Sequence, residues 1–152
     1  MNTQTQQTST LFNGPPRLVF DRKELIGAWV AEQVSQEAHW GDFYAMGVMR
    51  GSSVLAGIVF NNFNRANCTV HIAIKSPTKL LIPLFRAGCD YAFRQCKLKR
   101  ITGMVPTNEP ETIAFDKKLG FREEFVMKDA AVGADMMVLV MTPDDAKHWL
   151  EA

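Results

Sequence analysis

The sequence predicts an α/β domain of the α+β kind, one sheet of about six to seven strands with helices flanking it. Two observations lead there. Seven short apolar runs, at 18–20, 44–49, 54–63, 68–75, 100–105, 121–127 and 136–141, read as strands. Between them lie stretches whose apolar residues recur at three- and four-residue spacing, as helices require.

The length of 152 residues and a hydrophobic content of 47% suit one packed core, so residues 15–152 are expected to form a single domain. Residues 1–14 read as a flexible polar tail, because the opening stretch is rich in Gln and Thr with neither a basic cluster nor an apolar centre. It is not expected to be a signal peptide. Seventeen basic and sixteen acidic residues nearly cancel, leaving no general field for nucleic acid or an anionic membrane. No apolar run approaches the roughly 20 residues of a spanning helix, so a cytoplasmic protein without a membrane partner is expected. Cys68, Cys89 and Cys96 are odd in number and lack zinc-type spacing. They read as small buried side chains, and neither a disulfide framework nor a metal site is expected.

Residues 18–20 open the sheet. Asp21 with Glu24 forms a capping-box-like start, and Leu25, Ile26, Trp29, Val30 and Val34 give the following helix one apolar stripe ending before Gly41. The runs 44–49 and 54–63 are separated by Gly51, Ser52 and Ser53 and read as a hairpin, and a turn at Asn64 and Arg65 leads to a third antiparallel strand, 68–75. On that strand Cys68, Val70, Ile72 and Ile74 share one face, and Thr69, His71, Ala73 and Lys75 the other. Pro83 sets the next helix to begin there, since an interior proline costs about 3 kcal/mol. Lys97, Lys99 and Arg100 close it, as the helix dipole favours. The strand 100–105 ends at Pro106, Asn108 and Pro110 mark a loop, and a helix over 111–119 stops at Gly120. Two last strands meet at Gly133, and Thr142 with Pro143 caps a short helix carrying Trp149 and Leu150.

The stretch Arg100-Ile-Thr-Gly-Met-Val-Pro-Thr-Asn108, a helix, and then Lys117-Lys-Leu-Gly-Phe121 resembles the fifth strand, asparagine-bearing loop, fourth helix and Gly-Phe ending of the GNAT (N-acetyltransferase) superfamily. Asp90-Tyr-Ala-Phe-Arg-Gln95 resembles the end of that family's third helix, particularly in the subgroup that modifies protein or peptide amines. The resemblance spans residues 18–141 and is most specific over 89–121. It implies a GNAT fold, with a central mixed, mostly antiparallel sheet and a splayed parallel pair between the fourth and fifth strands, here 68–75 and 100–105.

The same resemblance implies acetyl-CoA as cosubstrate, with the pantetheine arm held between the splayed strands and the pyrophosphate at the start of the third helix. The matching stretch here, 77–82, carries no glycine. Lys75, Ser76, Thr78 and Lys79 are the residues expected to hold the phosphates, Asn108 to contact the cofactor, and the backbone around Met104 to meet the acyl carbonyl. His71 is the expected general base for an amine nucleophile, with Glu111 and Glu109 as alternatives beside the exit of strand 100–105. Asp116 stands where the family often places a tyrosine acid, and it reads as a solvated helix residue. Trp40 and Phe43 are the expected acceptor contacts. The resemblance thus implies acetyl transfer to an amine of a protein, peptide or small molecule by direct attack, with no metal and no nucleic acid partner. A homodimer stays open. The alternative is a catalytically silent GNAT-fold protein that binds or inhibits a partner protein.

Overall fold

The structure is a computed structural model and describes residues 14–34 and 39–151. The expected polar tail at 1–14 therefore lies almost entirely outside the described residues. Strand β1 (Arg17–Val19) is followed by helix α1 (Lys23–Gln33), then by β2 (Phe43–Arg50), β3 (Ser53–Asn61) and β4 (Asn67–Ile74). Helix α2 (Leu81–Cys89) continues as a π-helical turn, Asp90–Gln95. Next come β5 (Arg100–Pro106), α3 (Pro110–Leu119), β6 (Arg122–Ala131), β7 (Ala134–Met141) and α4 (Lys147–Leu150).

The strands form one seven-stranded sheet in the order β1-β2-β3-β4-β5-β7-β6. β1 pairs antiparallel with β2, and β7 pairs antiparallel with both β5 and β6. β4 and β5 run parallel, the direction that a helical crossover such as α2 permits. This is the mixed, mostly antiparallel sheet with a parallel pair between the fourth and fifth strands that the sequence predicts.

Contacts within the chain group it into two compact units, one made of the residues up to Val59 with Ile72–Gly88, the other of Phe60–His71 with Cys89–Ala152. In the first, Ile26, Val30, Ala31, Val19 and Ala73 form a buried cluster on which Trp29 and Phe43 pack. Helix α1 comes close to the strands because glycines lie beneath it. A Cβ on Gly57 would stand 2.7 Å from Val30, and one on Gly47 would stand 2.5 Å from the carbonyl oxygen of Ala56. The buried stripe of α1 is Ile26, Gly27, Val30 and Ala31, while Leu25 and Val34 are exposed. The predicted stripe of large apolar residues is thus rotated toward small ones, because close approach outweighs side-chain size. The helix starts at Lys23 with Arg22 as its N-cap and no side-chain cap bond, so the Asp21 capping box does not form.

Helix α2 begins two residues before Pro83, which sits in the first turn where its missing N–H leaves no intrahelical bond unmade. In the second unit, Phe121 packs near Gly103, and Leu139, Val140 and Met141 of β7 are buried. Cys68 and Cys89 are buried free thiols, as expected, and burial pushes both up to about 12. Cys96 is half-buried.

Candidate functional site

The parallel ladder between β4 and β5 is short. It joins Asn67 to Arg100, Cys68 to Ile101 and Thr69 to Thr102, while β5 continues to Pro106 and β4 to Ile74. A side-chain network spans it from its first pair to its last. The Thr102 hydroxyl donates to Asn67 Oδ1 at 2.7 Å, and the Arg100 guanidinium donates to Thr102 Oγ1 at 3.1 Å and to both carboxylate oxygens of Glu124 at 2.8 and 3.0 Å. Glu124 lies at a register shift of β6 between Glu123 and Phe125, where a bulge re-aims a side chain. Arg100, Thr102 and Asn67 are then held by a carboxylate two strands away. The Arg100 guanidinium, first as hydrogen-bond donor and then as a charge, also holds the Glu124 carboxyl below its ordinary range.

Thr69 and Thr102 are ladder partners, so alternation along each strand places His71 and Met104 on their face, just past the last pair. His71 Nε2 lies 3.0 Å from the side-chain oxygen of Asn61, a buried residue at the end of β3. With that oxygen as acceptor the ring carries its proton on Nε2. Burial pulls the His71 ring down to about 4, so it is neutral throughout the physiological range. Met104 is 42% exposed.

The other expected residues fall in three groups. Asn108 is exposed in a tight turn closed by the Glu109 amide donating to the Pro106 carbonyl at 3.0 Å, and Glu111 is exposed in the first turn of α3 behind Pro110. In the first unit, Thr78 spends its polar groups on the head of α2. Its hydroxyl accepts from the Leu80 amide at 3.2 Å and its carbonyl from the Leu81 amide at 3.2 Å. Pro83 has no amide, so little of the usual anion-binding array remains at that helix start. Lys75 and Lys79 are exposed on either side, with Ser76 half-buried between them. Finally, Trp40 is a core residue rather than an acceptor contact. Only 6% of it reaches solvent, and its indole N–H donates to the Gly27 carbonyl at 2.9 Å. Phe43 is half-buried against the same core, and the Lys23 ammonium stands 5.1 Å over its ring.

Asp116 departs from the solvated residue expected of it. It lies on α3 between Ile113 and the buried Leu119 at three-residue spacings, half-buried, and its carboxyl has no hydrogen-bond partner among the described residues. Burial alone pushes it up to about 7. The sequence signal for this was the apolar company at positions three before and three after it. Among the described residues no group of three or more His, Cys, Asp or Glu is placed to hold a metal. Nor, among them, is any helix long and apolar enough to cross a membrane.

No family model matches the sequence, and no curated protein matches it. Solved structures do. A chimera of the Vibrio cholerae spermidine N-acetyltransferase SpeG with hSSAT is 15% identical, aligns over 90% of this chain and 99% of its own, and gives a TM-score of 0.64. The dodecameric spermidine N-acetyltransferase of Vibrio cholerae is 12% identical over 90% of this chain and 98% of its own, with a TM-score of 0.67. A probable acetyltransferase is 18% identical over 68% of this chain and 63% of its own, with a TM-score of 0.58. Identities this low speak for architecture. With its strand order, its parallel β4–β5 pair and these neighbours, the chain has the fold of the GNAT acetyltransferases.

Proposed function

We propose that the protein is an N-acyltransferase that moves acetyl from acetyl-CoA to an amine of a small molecule, peptide or protein. The observation that carries this reading is the ladder stopping at Thr69 and Thr102 with a neutral imidazole, His71, two residues on along the same face of β4. The amine nitrogen attacks the thioester carbonyl carbon. The N–C bond forms, His71 takes a proton from the nitrogen, and a backbone amide of β5 between Thr102 and Val105 stabilises the oxyanion. The C–S bond then breaks, and the thiolate leaves with a proton drawn from solvent or from the Asp116 carboxyl. Glu111 is the reserve base. Lys75, Ser76 and Lys79 are the candidates for the phosphates, and Asn108 is the candidate for a further cofactor contact.

Isothermal titration with acetyl-CoA up to millimolar concentration tests the reading, and the absence of any binding overturns it. His71→Ala is expected to lower kcat by about 10²-fold or more with little change in cofactor affinity, and an unchanged rate removes His71 from the base role. In the wild type, the acid limb of kcat/KM assigned to His71 falls near pH 4 rather than near 6.5.

The engaged amides at the head of α2 and the missing glycines favour one second reading, a silent GNAT-fold module that binds a partner protein. Native mass spectrometry separates the two: a CoA thioester on the purified protein excludes the silent module, whereas a co-purified protein with no CoA supports it.

A further inference from the structure

Among the described residues only two polar or charged side chains are buried, Asn61 at 5% exposure and Thr69 at 7%. Both stand beside His71. Thr69 lies two residues before it on the same face of β4, and the side-chain oxygen of Asn61 is 3.0 Å from its Nε2. The run 54–60 that leads to Asn61 is Val, Leu, Ala, Gly, Ile, Val and Phe, so one amide closes an otherwise apolar strand. Burying an amide away from water costs free energy unless partners take its polar atoms. Here one such partner is the imidazole.

The chain beyond Asn61 ties that oxygen to the β4–β5 ladder. Strand β3 ends at Asn61, and Asn62 turns the backbone with a φ of 53°, a left-handed conformation that asparagine enters more readily than most residues. The turn closes on Asn64, whose Oδ1 accepts from the Ala66 and Asn67 amides at 2.7 Å each. Asn67 in turn accepts the Thr102 hydroxyl at 2.7 Å. The residues from 61 to 67 thus join the partner of His71 to the first pair of the ladder whose last pair precedes His71.

An amide acts on the ring differently from a carboxylate. Both accept from an imidazole N–H, but a carboxylate also favours the imidazolium, whereas a neutral amide fixes the ring without charging it. Burial alone lowers the basicity of His71, with no contribution from a charge, and the Arg100 guanidinium of the ladder is matched by Glu124.

Resting on the acyltransferase reading above, we propose that Asn61 is the positioning residue for the base, its side-chain oxygen holding the His71 proton on Nε2 and fixing the plane of the ring. The Nε2 proton is not the one exchanged. His71 gains a proton from the attacking amine and later gives it to solvent, with the bond to Asn61 kept throughout.

Long-range proton–nitrogen NMR of the labelled wild type at pH 7, with His71→Gln to assign the ring, reads the tautomer without any substrate. A single neutral tautomer protonated at Nε2 is expected, and a ring protonated at Nδ1, or a mixture of the two, overturns the proposal. Kinetics then use acetyl-CoA with n-butylamine as the probe amine and CoA release as the readout. Asn61→Leu removes the acceptor at similar volume, and is expected to lower kcat about tenfold or more with acetyl-CoA affinity unchanged. Asn61→Asp restores the acceptor and adds a charge. It is expected to recover most of the lost rate while the acid limb of kcat/KM moves up from near pH 4 by about one to three units. The His71 midpoint followed by NMR titration should move by the same amount, which a merely structural role for Asn61 would not produce. An unmoved midpoint, or an Asn61→Leu kcat equal to wild type, overturns the assignment. Asn61→Ser repeats the comparison should Asn61→Leu fold poorly. Absence of acetyl-CoA binding fails the acyltransferase reading instead, a result independent of the tautomer found.

Discussion

Replacing Asp116 with asparagine should stabilise the protein, and by an amount that grows with pH. In the folded chain this carboxyl sits at about 7, against 3.8 ordinarily, because burial penalises the anion and nothing compensates it. Between those values the folded protein holds a proton that the unfolded chain has released, so stability is fully present at low pH and is lost as pH rises toward and through 7. At about 1.4 kcal/mol per pH unit the whole gap corresponds to about 4 kcal/mol, of which about 2.5 falls between pH 5 and pH 8. The carboxyl keeps some contact with water, which reduces the measurable part to about 1–2 kcal/mol. Urea unfolding followed by circular dichroism at pH 5 and pH 8, for wild type and Asp116→Asn, reads this directly. The variant's advantage should be larger at pH 8 by that 1–2 kcal/mol. Using the difference between two proteins cancels every other titrating group, including His71, whose contribution has the opposite sign. An advantage that is equal at the two pH values refutes the account, since it would mean that Asp116 is no more costly ionised than protonated.

His71 supplies the mirror case. Burial lowers it from 6.5 to about 4, so its contribution is present above pH 6.5 and is lost as pH falls toward 4. His71→Gln, which keeps an N–H for Asn61, should therefore lose about 3 kcal/mol less than wild type between pH 7 and pH 4 in the same unfolding assay. Gly47→Ala should cost about 3 kcal/mol or more, because its Cβ would meet a backbone oxygen at 2.5 Å that cannot rotate away. A thermal midpoint within a degree or two of wild type shows that β2 and β3 can part more easily than this packing implies.

Much of the architecture was readable from the residues. The seven apolar runs lie within one or two residues of the observed strands for most of their ends, since two-residue alternation is a strong signal in a half-buried sheet. β6 is the exception, running four residues past Met127 to Ala131 through exposed, charged positions whose pairing with β7 no apolar pattern announces. The place of His71 followed from strand alternation alone. Its depressed basicity did not, because that depends on what covers the ring. Trp40 was misjudged for a related reason: a tryptophan beside a glycine in a loop looks available, and only the fold shows the Gly27 carbonyl waiting for its N–H. Asp116 shows the same limit from the other side, as its neighbours Lys117 and Lys118 make the local sequence look solvated while the helix turns the carboxyl inward. What a side chain is goes with its neighbours in space, and charge or apolarity nearby in the chain is a poor guide to them.

The polar network along the β4–β5 ladder has a mechanical consequence. Thr102, Asn67, Arg100 and Glu124 tie the two strands together along the ladder, with bonds of 2.7–3.1 Å. These side chains fix the register over the three pairs from Asn67–Arg100 to Thr69–Thr102, so the extent of the parallel ladder is a property of the protein's own residues.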